Sequence, residues 1–160
     1  MISDKLAAEV INTAIKTGCD FAEIFNEDSY TDNLNVENGK VQTVSSFNVS
    51  GVGLRLLKGF QSVYGFTNDV SKKSLIKLAN DLSLSFHEDK MLNDVTSFKK
   101  VHHKNNFKPC TSLYDVDKVE IIDLLKKLNS IIKNYDQRIV KVNTGFLMEK
   151  SDILIFNSKG

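Results

Sequence analysis

The sequence predicts an α+β fold: an antiparallel β-sheet, a meander with hairpins, covered on one face by about three helices. Three observations predict it. Asn38-Gly39, the favoured two-residue type I′ hairpin turn, sits between two runs of strand-like residues. Gly51 to Asn68 reads as two further strands around a turn at Lys58-Gly59. Residues 3–17, 71–86 and 117–134 each carry apolar side chains at helical spacing.

The first helix has Leu6, Ala7, Val10, Ile11, Ala14 and Ile15 on one stripe, with Ser3 as N-cap and Gly18 as stop. Around Asn38-Gly39 the turn pairs Val36 with Val41 and Leu34 with Thr43, so that apolar side chains meet on one face. Polar Ser45 and Ser46 lead into the next strand. There Val52, Leu54 and Leu56 share a face suited to burial, while Gly51, Gly53, Arg55 and Leu57 share the other. On its partner, Ser62, Tyr64 and Phe66 alternate with Val63, Gly65 and Thr67. Two glycines at i and i+2 leave a bare patch where another backbone or a peptide can approach, and Arg55 stands beside it. Asp69 or Ser71 caps the second helix, whose buried stripe is Leu75, Leu78, Ala79, Leu82 and Phe86.

Residues 87–113 lose periodicity and read as a long irregular connection of mobile surface, with a short extended piece near Asp94 to Val101. Asp117-Lys118-Val119-Glu120 is a capping-box signature, with Val116 and Ile121 placed for a hydrophobic staple. The third helix is expected to turn Val119, Ile122, Leu125, Leu128 and Ile132 inward. Arg138 to Leu147 and Asp152 to Phe156 read as two more strands. Asn157-Ser158-Lys159-Gly160 has turn chemistry with no return strand, which would leave an unpaired edge. Gly160 is therefore expected to be a boundary within a longer protein.

A chain of 160 residues with a net charge of +1 gives no electrostatic case for nucleic acid or an anionic membrane. Two cysteines, Cys19 and Cys110, make no disulfide framework, so a reducing cytoplasm is expected. Cys19 reads as a small buried apolar residue, with a reactive thiol as the other possibility. No apolar run approaches the ~20 residues that span a bilayer, and the first residues lack the apolar core of a signal peptide. Arginine occurs only at Arg55 and Arg138 among 21 cationic side chains, so its use at Arg55 stands out.

Gly51-Val-Gly-Leu-Arg-Leu-Leu57, a turn, and then Tyr64-Gly-Phe-Thr-Asn-Asp69 before a helix resemble the N-terminal domain of the TldD/PmbA family. These are metallopeptidases, also labelled modulators of DNA gyrase. Gly18-Cys-Asp-Phe-Ala-Glu23 resembles the family's Gly-Ala-Asp-x-Ala-Glu segment, and Glu37-Asn-Gly-Lys-Val41 its hairpin. Asn157-Ser-Lys-Gly160 is similar to the turn from which the family continues into its catalytic half. The Tyr64 to Asp69 segment looks more like the TldD branch. The resemblance covers residues 1–86 and the extreme C-terminus, and is weak from His87 to Leu113.

The family's zinc motif is His-Glu-x-x-x-His on a helix, where two histidines bind metal and the glutamate acts as base. Here His87-Glu88 is followed by Asp89, Lys90, Met91 and Leu92, so the second histidine is missing. His102 and His103 are adjacent and point apart on any regular element, and Cys110 adds no known zinc spacing. They read as solvated loop residues. No Gly-x-Ser-x-Gly elbow occurs, and Gly51-Val52-Gly53 is followed by a strand rather than a phosphate-binding helix.

No catalytic residue, metal ligand or cofactor is therefore expected within residues 1–160. The resemblance implies zinc in the full-length parent, peptide or unfolded-protein substrates, and a homodimer or a heterodimer with a related subunit. This domain would wall the substrate cleft or serve assembly, with Gly51, Gly53 and Arg55 as candidate peptide- or partner-contacting residues. The plainer role for Arg55 is a structural salt bridge. The alternative function is a stand-alone peptide- or protein-binding module without catalysis. A gyrase regulator follows from the family's label alone, and nothing in the charge pattern supports it.

Overall fold

A computed structural model describes residues 1–90, 92–101 and 117–160. The expected staple at Val116, the His102-His103 pair, Cys110 and the rest of the connection from 102 to 113 lie outside the described residues. The elements run α1 (Asp4–Ala14), a 3-10 turn (Ile15–Thr17), β1 (Phe21–Glu37), β2 (Lys40–Lys58), β3 (Gln61–Thr67), α2 (Lys72–Ser83), α3 (Lys118–Tyr135) and β4 (Asn143–Asn157). The fold is α+β, with a four-stranded antiparallel sheet in the order β3-β2-β1-β4. Two compact units divide the chain, and β1, β2 and β4 each contribute residues to both.

The first unit comprises residues 1–28, 49–103 and 152–160. Ser3 caps α1 by accepting from the Leu6 amide at 3.3 Å, and Ser71 caps α2 by accepting from the Ser74 amide at 3.4 Å. Gly18 ends the first helical segment at φ 84°, a left-handed conformation that glycine adopts without strain. The core joins Val10, Ile11, Ala14 and Ile15 of the first helical segment to Ala22 and Ile24 of β1, and to Val52, Leu54 and Leu56 of β2. Leu75, Ala79 and Phe86 complete it from the α2 side, with Leu78 and Leu82 packed partly buried. Each fully buried aliphatic side chain stabilises by ~1.5–3 kcal/mol. Gly65 lies beneath α2, where an added Cβ would sit 2.8 Å from Leu78 Cδ1.

The stretch after α2 is better anchored than its sequence suggests. Asn12 clasps the Val95 backbone from both sides, donating to its carbonyl at 2.9 Å and accepting from its amide at 2.7 Å. Val95 is buried, and Phe98 meets Phe156 edge-to-face with centroids 5.0 Å apart. The expected extended piece at 94–101 is not a strand. Side-chain anchoring, rather than a ladder, holds its backbone.

The second unit comprises residues 29–48 and 104–151. Its hairpin turns at Asn38 and Gly39 with φ 46° and 77°, the paired left-handed residues of a type I′ turn. Leu34 and Val36 pack against Leu125, with Ile121, Ile122 and Phe146 around them. Asn129, 2% exposed, ties this core to the turn. It accepts from the Gly39 amide at 2.9 Å and donates to the Val36 carbonyl at 3.1 Å and Thr144 Oγ1 at 2.8 Å. Asp117 caps α3 by accepting from the Val119 amide at 2.8 Å. Asp32, also buried, accepts from Lys118 Nζ at 2.7 Å, Ser46 Oγ at 2.5 Å and Tyr30 OH at 2.9 Å.

Five expectations are corrected. β2 runs unbroken through Ser45 and Ser46, and its turn lies at Gly59-Phe60, since Lys58 pairs with Gln61. β4 is one strand, where the polar run Glu149 to Asp152 suggested a break. Val119, Leu128 and Ile132 are 62%, 40% and 42% exposed, and α3 instead turns Ile121, Ile122, Leu125 and Asn129 inward. Val41 is exposed although Val36 and Leu34 are buried.

Candidate functional site

The site grows from the pairing of β2 with β3. Gly53 stands opposite Phe66, Arg55 opposite Tyr64, and Leu57 opposite Ser62. Alternation sends Val52, Leu54 and Leu56 into the core, so Gly51, Gly53 and Arg55 face outward with Tyr64 and Phe66. Glu23, Phe25 and Glu27 occupy the outward positions of β1, between the buried Ala22, Ile24 and Asn26.

β3 comes close to both glycines. At Gly53 an added Cβ would meet the Tyr64 hydroxyl at 2.5 Å and its ring at 3.0 Å, so the absent side chain makes room for that ring. At Gly51 a Cβ would lie 2.8 Å from the Thr67 carbonyl and 3.2 Å from Asn68 Oδ1. β3 thus approaches both glycines more closely than a side chain there would allow. Gly51 and Gly53 themselves line a groove of about 330 Å³, together with Phe25, Glu27, Val49, Tyr64, Phe66 and Asn68. Tyr64 and Phe66 are 60% and 71% exposed.

Arg55 donates from Nη2 to Glu23 Oε1 at 2.8 Å, with its own side chain about half exposed. That is a surface ion pair, a class worth ~0–1 kcal/mol. Asn26 is the hidden support of the groove. Its Nδ2 donates to the Gly51 carbonyl at 2.8 Å, and its Oδ1 accepts from the Ile2 amide at 2.8 Å.

Sequence reasoning named Gly51, Gly53 and Arg55, and the structure brings them onto one face. It missed Phe25, Glu27 and Asn26, because the hairpin around Asn38-Gly39 is traced back only as far as Leu34, whereas β1 begins at Phe21. The signal was present: Ala22, Ile24 and Asn26 alternate with Glu23, Phe25 and Glu27.

Cys19 is fully buried, and burial pushes its thiol above the ordinary value, so it is an inert core residue rather than a nucleophile. Among the described residues no group of three or more His, Cys, Asp or Glu converges to hold a metal ion. The described residues therefore do not fit a zinc site. No described helix is long and apolar enough to cross a membrane.

Residues 22–84 match the family model described as PmbA/TldA metallopeptidase domain 1. This stretch is therefore similar to the first domain of that family. It covers β1 from Ala22 onward, β2, β3 and α2, and so every residue of the groove. No curated protein matches the chain. Three solved structures share the fold of this chain. A proposed modulator of DNA gyrase from Bacteroides thetaiotaomicron aligns over 100% of this chain and 38% of its own, at 19% identity and TM-score 0.75. Another from Thermotoga maritima aligns over 98% and 35%, at 16% identity and TM-score 0.67. TldE from Thermococcus kodakarensis aligns over 97% and 35%, at 16% identity and TM-score 0.60. The chain thus spans little more than a third of the length of these neighbours.

Proposed function

We propose that this chain is the N-terminal, non-catalytic domain of a TldD-like zinc metallopeptidase of the cytoplasm that acts on peptides or unfolded proteins. The match of residues 22–84 to the first domain of that family carries the reading. In it, zinc and its ligands belong to the remainder of the parent protein. The outer face around Gly51, Gly53 and Arg55, with its exposed aromatic rings, contacts an extended peptide or a partner subunit. The parent assembles with a second copy or a related subunit, a reading to which the fold shared with TldE lends support.

The full-length protein tests this directly. A zinc-dependent activity on an unfolded polypeptide is expected, with a folded protein spared and a chelator abolishing cleavage. A photo-crosslinking residue placed at Phe66 should capture substrate or a second subunit. Absence of zinc-dependent cleavage would refute the peptidase reading. A crosslink to neither peptide nor subunit would remove the outer face from it.

A further inference from the structure

We infer that an extended peptide adds to the open edge of β3 as a further antiparallel strand, held through its backbone at Ser62, Tyr64 and Phe66. This rests on the domain being peptide-contacting, and names the groups that make the contact. β3 is an outermost strand of the sheet, and among the described residues it pairs with β2 alone. Its seven residues, Gln61 to Thr67, include no charge and no proline. Edge strands that stay in water are ordinarily guarded by such residues against pairing with another chain. β4, at the opposite edge, has Glu149, Lys150 and Asp152 in its middle. β3 is thus the edge left ready to pair.

The register tells which backbone groups point outward. β2 and β3 are joined by the two-residue loop Gly59-Phe60, with Gly59 at φ 54°, as a type II′ turn requires at its first position. Lys58 and Gln61, which flank that loop, exchange both backbone bonds, and the ladder then alternates. Leu57 with Ser62, Arg55 with Tyr64, and Gly53 with Phe66 are therefore the pairs that do not bond across the two strands. The Leu57 carbonyl agrees with this phase, since it accepts from the Asp20 amide at 2.8 Å, on the side away from β3. The amides and carbonyls of Ser62, Tyr64 and Phe66 accordingly face the open edge. Their complement is an extended backbone rather than a particular side chain.

The side chains add a preference. An antiparallel strand bonded to these groups places the residues opposite Tyr64 and Phe66 on the same outer face, beside two largely exposed rings. Apolar side chains at alternate positions of the peptide would cover those rings. A second copy meeting β3 edge to edge would also bring its own α2, which lies over β3 and carries the exposed Lys73 and Lys77. Like charges oppose that approach, and a peptide brings no helix.

Fluorescence anisotropy on the full-length protein tests this with a dye-labelled nonapeptide in which leucine and serine alternate. N-methylation of the three central leucines removes the N–H groups expected to face β3, and should weaken binding on the order of a hundredfold. N-methylation of the serines between them, whose N–H groups face away, should change it by less than about threefold. A benzophenone side chain in place of the central leucine should crosslink to Tyr64 or Phe66 on mass-spectrometric mapping. An equal or reversed effect of the two N-methylated sets would overturn the inference while leaving a peptide-contacting domain intact. Crosslinks confined to residues outside β3 would also overturn it. In a Cys110→Ser background, a Tyr64→Cys variant that forms a disulfide-linked dimer would give the edge to a second copy and overturn it as well. Failure of every peptide to bind would overturn both it and the peptide reading beneath it.

Discussion

Replacing Asn129 with alanine should cost the second unit about 2–3 kcal/mol. The side chain is 2% exposed and makes three hydrogen bonds, to the Gly39 amide, the Val36 carbonyl and Thr144 Oγ1. Each intramolecular hydrogen bond is worth ~1 kcal/mol net, and a buried group left without a partner costs ~1–3 kcal/mol. Gly39 is exposed, so water can replace one partner there. Thr144 Oγ1 lies 3.4 Å from the Val36 carbonyl but 3.1 Å from that of Leu125, so its single hydrogen does not replace the lost donor. At ~2–4 °C per kcal/mol for a chain of this size, the transition should fall by roughly 5–10 °C. Because the chain has two compact units, a local readout belongs beside the melt. The Gly39 amide should lose hydrogen-exchange protection in Asn129→Ala and keep part of it in Asn129→Asp, whose oxygen still accepts. A stability loss below about 1 kcal/mol, with Gly39 protection unchanged, would refute this account of how the hairpin is held.

Leu54 is wholly buried, so Leu54→Ala should destabilise the first unit by about 2–5 kcal/mol in urea unfolding, against little change for an exposed site such as Lys73→Ala. Burial alone would raise the Asp32 carboxyl, but hydrogen bonds from Lys118, Ser46 and Tyr30 outweigh it and hold the group below its ordinary value. Its contribution is therefore present above the unfolded pKa of about 3.9 and is lost as pH falls through the lower folded value. Melts of the native protein and Asp32→Asn should differ near neutral pH and converge in acid below that range. The Lys118 ammonium, hydrogen-bonded to Asp32, has its pKa raised. Its contribution is present below an unfolded pKa of about 10.4 and fades as pH rises through the higher folded value. In a Cys110→Ser variant, Cys19 should not react with a thiol reagent until the protein is unfolded, and rapid labelling of the native state would contradict its burial.

The parts of the fold legible in the sequence are those governed by local chemistry. Ser3, Ser71 and Asp117 cap helices because a short side-chain oxygen can reach an amide two or three residues on. Asn38-Gly39 turns because both residues tolerate positive φ. What escaped is governed by long-range packing. β4 passes through Glu149 to Asp152 with most of its side chains exposed, so no alternation marks it. On α3 the apolar arc is wider than the surface it packs against, so periodicity alone chose Leu128 and Ile132 where packing uses Ile121 and a polar Asn129. At the candidate site the glycine spacing was readable, but the Tyr64 ring over Gly53 was not. Pairing register and side-chain lean decide that placement, and neither is encoded in one strand. Phe25 and Glu27 line the groove because β1 begins at Phe21, well before the hairpin turn.

The clasp of Asn12 on Val95 gives an irregular segment the resistance to attack of a structured one. A protease must draw about ten residues of extended backbone into its cleft, and here the Val95 amide and carbonyl are both occupied while the side chain is buried. Cleavage near Val95 should wait on opening of the first unit's core. The same two bonds set the length of the connection. Adding or removing one residue between Phe86 and Val95 would force the backbone to bulge or stretch before it met Asn12. Loop variation during divergence should therefore accumulate elsewhere, and related sequences should keep this spacing wherever they keep an asparagine at position 12.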